Sequence, residues 1–404
     1  MKAYWWIRDD MRRENNPTLE AALAWRKRTG GLLQAVCFQR PSDAISLSEY
    51  PKPLPRTSAI RQSYECACLQ SLAATLVSMD ISTISVSEDI LFWMTKQNAE
   101  SIFFTYGCAH EEVEEEKALM DMGFQTHGFY SRTLLEPAQV FESPLPQVYT
   151  PFRKRTESLL QLEAFSEILP YLGPARLSAP FSPTESQARA HLYTYVAENG
   201  PGRTYKARRN GLLQPLDSTK LSAYLSLGLL HPKEVWNRCL YVEKLLGGCE
   251  EIYWIRFELL WREYFQWVAY EAGPRLFLPE GLQSKGLVAP KVGNVDAFER
   301  WTQGRTGDAL VDAAMRELAA TGFQSNRARQ NAASYWIHDL NQPWRVGAAY
   351  FEAMLLDFDA ASNWGNWAYL AGVGNDPRPF RKFNTQKQAD QYDPDKSYRL
   401  TWST

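Results

Sequence analysis

The segment LLDFDAASNWGNWAYLAGVGNDPRPFRKFN, residues 355–384, sets Asp357, Asp359, Asn363 and Asn366 among apolar residues and two tryptophans, Trp364 and Trp367. Carboxylates and amides on a buried wall need partners or a polar ligand. Read as the end of a helix, Asp357 and Asp359 face the unfavourable end of its macrodipole, so a cation is expected beside them, with Arg329 and Arg262 the candidates. An Asp-x-Asp pair also suits a metal in a sugar-nucleotide transferase. A second cluster lies in EEIYWIRFELLWREYFQWVAYEAG, 250–273, where Glu258, Trp261 and Arg262 share a face at i, i+3 and i+4. An internal ion pair is the plain alternative there. A third lies in TGFQSNRARQNAASYWIHDLN, 321–341. After the N-cap candidate Ser325, Asn326 and Gln330 continue the apolar stripe of Ala333 and Ile337, while Arg329 heads the neighbouring stripe with Ala332 and Trp336. Polar groups pointing inward at a helix N-terminus suit anions and polar ligands; a solvated first turn is the alternative. The fourth is DSTKLS, 217–222: hydroxyls of Ser218 and Thr219 with Lys220 at a helix start suit a phosphate, although capping alone accounts for Asp217, Ser218 and Thr219. Four polar clusters on buried helices suggest a large cofactor enclosed by helices.

The elements that must position these groups fall into two kinds. In the first third, AYWWI (3–7), LLQAVCF (32–38), ISTISVS (81–87) and SIFFTY (101–106) read as buried strands alternating with helical patterns. Asn16 as N-cap, Pro17 after it and Gly30 beyond the end delimit the first helix. This alternation predicts an α/β domain with a parallel, Rossmann-like sheet over 1–130. No GxGxxG or GxxxxGK[ST] loop occurs. The charge run HEEVEEEKALMDMG reads as an acidic helix with a solvated face. Residues 131–200, proline-rich, read as a connector wrapped on the surface. From there helical patterns cover 186–198, 219–228, 232–246, 250–272, 307–321, 325–340 and 344–356, an all-α domain over 201–404.

Composition narrows the classes. The chain has 404 residues, 44 basic and 46 acidic, for a formal charge of −2, so charge alone announces no nucleic-acid partner. Six cysteines without CxxC spacing and five scattered histidines argue against a disulfide framework or a transition-metal site. No apolar run approaches the roughly 18 residues of a membrane helix, and the start MKAYWWIRDDMRR lacks an apolar signal region. A soluble, cytoplasmic monomer is expected.

WTQGRTGDALVDAAMRELAATGFQSNRARQNAASYWIHDL, PWRVGAAYFEAMLLDFDAASNWGNWAYLAGVGNDPRPFRKFN and FELLWREYFQW resemble the photolyase/cryptochrome family. SNRARQN, SNWGNWAYLAGVGNDPR and VYTPFRKRTE resemble its DASH-type cryptochromes. The resemblance implies an N-terminal antenna domain and a helical domain holding FAD. It implies that Tyr205, Ser218, Thr219, Lys220, Leu221 and Ser222 contact the phosphates and ribityl chain. Glu258, Arg262, Asn326, Arg329, Asp357, Asp359 and Asn363 would line flavin and adenine, with Asn363 facing flavin N5. The implied reaction is blue-light-driven repair of cyclobutane pyrimidine dimers in DNA, with single-stranded DNA as an expected substrate, by electron transfer from reduced flavin. Glu258, Asn326 and Asn363 would be its catalytic residues. Trp261 and Tyr369 would sandwich the lesion, Gln330 would read it, and Arg327, Arg378 and Gln388 would reach phosphates. Trp367 and Trp344 match the first two electron-transfer tryptophans of the family; Lys291 stands where the third is expected. Glu115 is the candidate for a methenyltetrahydrofolate antenna. The alternative from another class is a blue-light photoreceptor that signals without efficient repair.

Overall fold

The computed structural model describes residues 1–38, 44–97, 99–160, 181–283, 292–375 and 381–403. Five parallel strands, β1 (Lys2–Trp6), β2 (Leu32–Phe38), β3 (Thr83–Val86), β4 (Ser101–Thr105) and β5 (Gln125–Phe129), form one sheet in the order β3-β2-β1-β4-β5. Continuous apolar runs are what a parallel strand covered on both faces requires, and β1 is accordingly buried from Ala3 to Trp6. It pairs Trp5 with Ala35 on one side and with Phe103 on the other. The helix Pro17–Thr29 begins and ends as its caps dictate: Asn16 accepts from the Leu19 amide at 3.1 Å, and Gly30 takes φ 67° while its N–H reaches Arg26. The strand β5 escapes the sequence pattern because it is a half-buried edge with no apolar alternation.

Two expectations are corrected here. The acidic helix His110–Asp121 is not merely solvated: Glu111, Glu114 and Glu115 face water, but Glu116 is buried against Arg8 and the Gly107 amide, and Glu112 reaches Arg132 at 2.8 Å. The stretch after residue 130 is not merely wrapped on the surface either. Glu263 accepts from the amides of Leu134 and Leu135 at 2.8 and 3.1 Å, and the helix Tyr149–Leu159 packs Tyr149 and Phe152 into the core. Its Tyr149 hydroxyl donates to the Phe257 carbonyl at 2.6 Å. Residues 161–180 of that stretch lie outside the described ones.

The rest is helical. Glu250–Ala272 is the long central helix, flanked by Pro232–Leu245 and by Ala360–Leu370, which in turn packs on Trp344–Met354. The helix expected over 219–228 is only Ser222–Leu225, since Lys220 takes φ 51° and Gly228 φ 69°. Gly228 lies so close to the N-terminal unit that a Cβ would sit 2.0 Å from the Asp9 carbonyl oxygen. There the Met11 amide donates to Leu227 and Arg12 to Gly228, both at 2.9 Å. The helix expected over 325–340 is α-helical over Asn326–Ser334 and widens to a π turn over Tyr335–Asp339. Among the described residues no helix is long and apolar enough to cross a membrane.

Candidate functional site

A further correction defines the site. Asp357 and Asp359 do not end a helix. The helix Trp344–Met354 stops short of them, and Asp359 is the N-cap of Ala360–Leu370, accepting from the Ser362 amide at 2.7 Å. Its carboxylate therefore sits at the favourable, positive end of a dipole. It also accepts from Gln266 Nε2 at 2.7 and 2.8 Å, and lies 3.5 Å from Arg262 and 3.7 Å from Arg132. Burial pushes the Asp359 carboxyl up, but the two guanidiniums and the cap outweigh it and hold it below its ordinary value. Asp357 is gripped by Arg329 Nη2 at 2.8 and 2.9 Å. The expected cations are thus Arg329 on one aspartate and Arg262 on the other. The carboxylates that could have bridged a metal are bound by guanidinium and amide groups instead.

Asp357, Asp359 and Arg329 converge on a cleft of about 530 Å³, part of it open to solvent. It is lined by Asn326, Arg329, Gln330, Asp357, Asp359, Asn363, Asn366 and Trp367, all named from the sequence, together with Phe351, Leu355, Phe358 and Ser362, which were not. Asn363 is oriented by donating from Nδ2 to the Ala348 carbonyl at 3.0 Å. Gln330 Oε1 is buried without a protein partner, which is costly unless something else occupies it. Lys220 and Arg329 both lie over the Phe323 ring, at 6.0 and 5.2 Å, so the 217–222 segment and the cleft meet at that side chain. Tyr205 and Leu221 are buried, and the Thr219 carbonyl is held by His191 Nε2 at 2.7 Å.

Around the cleft, Glu258 and Arg262 do not pair with one another. Glu258, half-buried, bonds Arg209; burial pushes its carboxyl up against the pull of Arg209 and Arg327. Arg327 reaches Asn210 Oδ1 at 2.9 Å and Gln388 Oε1 at 3.5 Å, so Glu258, Arg209, Arg327 and Gln388 form one polar edge. Trp261 and Tyr369 are neighbours at 6.0 Å, but perpendicular at 77°, and Tyr149 stacks on Trp261 at 3.8 Å and 11°. Trp344 donates to the Pro279 carbonyl at 3.0 Å and abuts Trp364 at 5.8 Å. Glu115, exposed, lies 3.6 Å from Arg8 on the N-terminal unit. Arg378 and Lys291 lie outside the described residues.

Sequence reasoning missed Arg132 and Gln266. Gln266 was findable, because it continues the stripe of Glu258 and Arg262 at i+8 on the long helix. Arg132 had no local signal. Buried, it joins Asp9 at 3.1 Å and Glu112 at 2.8 Å to the cleft aspartate Asp359.

Comparison with known proteins bears on this geometry. Residues 3–171 match the DNA photolyase family model, and 254–403 match the FAD binding domain of DNA photolyase. A Cryptochrome DASH of Synechocystis sp. is 34% identical over 432 residues, covering 98% of this chain and 86% of its own. One from Xenopus laevis is 34% identical over 434 residues, covering 98% and 81%. The crystal structure of the Synechocystis cryptochrome superposes with a TM-score of 0.85 at 32% identity, over 99% of this chain and 88% of that one. A class III photolyase from Agrobacterium tumefaciens, at 24% identity and a TM-score of 0.79 over 99% and 86%, shares the fold. A parallel α/β unit, a helical FAD-binding domain and relatives of this likeness together show that the chain belongs to the photolyase/cryptochrome family, with the character of its DASH cryptochromes.

Proposed function

We propose that this protein uses FAD and blue light to split cyclobutane pyrimidine dimers in DNA, single-stranded or lesion-containing. The observation that carries the reading is the cleft itself. Two carboxylates, the Arg329 guanidinium, inward amides and an indole line one cavity, and Gln330 presents a buried oxygen lacking any protein partner. A flavin, with its polar edge and apolar rings, fits such a lining. Reduced flavin, when bound, supplies the photo-excited electron that opens the cyclobutane ring and is then returned.

The chain's own residues do the remainder. Asp357 holds Arg329 as a fixed donor at the cleft wall, and Asp359 is neutralised by Arg262 behind it. Asn363 presents its free amide oxygen at the position proposed to face flavin N5. Lys220, Ser218 and Thr219, with Tyr205, Leu221 and Ser222, would hold the phosphates and ribityl chain. Glu258 and Asn326 would hydrogen-bond the lesion's bases, with Gln330 beside them. A lesion taken out of its stack costs less to expose than an intact pair, and Trp261 and Tyr369 offer flat faces to it. Arg327 and Gln388 would reach backbone phosphates. Arg378 is proposed for the same task, and Glu115 for a folate antenna.

One observation favours a second reading, a blue-light receptor without efficient repair: Tyr149 already covers a face of Trp261. The test is illumination of the reduced, flavin-loaded chain with a dimer-containing oligonucleotide, single- and double-stranded. Dimer loss with turnover is expected. Light-dependent spectral change and oligomerisation without dimer loss would replace repair by signalling.

A further inference from the structure

Resting on the flavin reading, we propose that electrons enter the molecule at a tyrosine and reach the cleft through the file Tyr350–Trp301–Trp367, and not along the Trp344 side. Trp367 lines the cleft, and its ring meets Trp301 at 6.2 Å and 84°. Trp301 is completely buried and meets Tyr350 at 5.7 Å. Tyr350 is half-buried on the helix Trp344–Met354, so the file runs from the cleft wall to the surface. Electronic coupling decays steeply with separation, and each member touches the next.

Two further features belong to this file. Trp336 lies 4.8 Å from Trp301 at 34°, and its π face stabilises positive charge on that neighbour. Gly347 opens the space in which both indoles approach the helix: a Cβ there would lie 2.3 Å from Trp367 Cη2 and 2.9 Å from Trp336 Cδ1. On the other side, Trp344 abuts Trp364, and the ring beyond Trp364 is Phe277 at 5.3 Å, which is far harder to oxidise than an indole or a phenol. Residue 291 is a lysine and supplies no ring.

The electron balance is simple. Trp367 gives one electron to the photo-excited oxidised flavin, Trp301 refills Trp367, and Tyr350 refills Trp301. Burial pushes the Tyr350 phenol up to about 12, so it keeps its proton at rest. Oxidation makes the phenol strongly acidic; the proton passes to water and a neutral phenoxyl radical remains. A soluble thiol then returns one electron and one proton.

The experiment is flash photolysis with transient absorption and electron paramagnetic resonance on the full, flavin-loaded, oxidised chain. A long-lived tyrosyl radical is expected. Tyr350→Phe, conservative at a half-buried site, should lose that signal with flavin content unchanged. Trp301→Phe should lose both the signal and steady-state photoreduction. Trp364→Phe, which replaces the indole packed on Trp344, should keep the signal. A tyrosyl signal that survives Tyr350→Phe, or vanishes in Trp364→Phe, overturns the file. A flavin-loaded chain forming only tryptophanyl radicals overturns the file alone; a chain that takes up no flavin overturns the underlying reading with it.

Discussion

Replacing Asp359 by alanine removes three kinds of interaction at once. The helix Ala360–Leu370 loses its N-cap, worth about 1 kcal/mol. Gln266, fully buried, loses both of its short bonds to the carboxylate, and an unpaired buried amide costs about 1–3 kcal/mol. Arg262 and Arg132 lose an anion but keep other partners: Arg262 donates to the Arg132 carbonyl at 2.6 Å, and Arg132 keeps Asp9 and Glu112. The sum is about 3 kcal/mol, the arginines adding little because their remaining partners compensate them. For a unit of this size each kcal/mol lowers Tm by about 2–4 °C, so a fall of about 6–12 °C is expected. Asp359→Asn keeps a cap and an acceptor and loses only the charge, so about 1–2 kcal/mol is expected. The two variants also separate in acid. The native carboxyl is held below its unfolded value of about 3.9, so its stabilisation is complete above that pH and fades as pH falls through the lower folded value. Asparagine abolishes that part of the acid slope. Scanning calorimetry at neutral and acid pH, with bound-flavin absorbance read in parallel, makes the measurement. An alanine variant within about 3 °C of wild type, or one no worse than asparagine, would refute the reasoning.

Gly347→Ala drives a methyl into Trp367 and Trp336; a loss of about 1–3 kcal/mol is expected from overpacking, with slower flavin photoreduction, and an unchanged Tm would mean the indoles have room to move. In Glu112, burial raises the carboxyl but Arg132 and Arg8 outweigh it and hold it at about 2. Its stabilisation is full above the ordinary carboxylate range and lost as pH falls through about 2, so Glu112→Gln should be less stable at neutral pH and show a shallower acid limb in a Tm-against-pH series. Glu258→Ala should lower the repair quantum yield while FAD stays bound; a yield equal to wild type would remove this carboxylate from the lesion pocket.

Local patterns are legible in this chain because they are short-range. Asn16, Pro17 and Gly30 mark the first helix by themselves, and the apolar runs of β1, β2 and β4 announce a covered parallel sheet. The stripe arithmetic also places Asn326, Arg329 and Gln330 on one inward surface, where the cleft gathers them. The helix Ala360–Leu370 was not legible. Gly365 and two asparagines weaken its propensity, and it forms because Gly365 admits the Phe265 ring, whose Cδ1 would lie 2.4 Å from a Cβ there. Only that packing turns Asp359 from a helix end into a helix start. The sequence by itself determined that polar clusters ride on the buried helices around 250–273 and 321–341. Only tertiary structure decided the partner that no pattern announced: Arg132, more than two hundred residues from Asp359, reaches it because the two units dock, and no periodicity encodes a contact between elements.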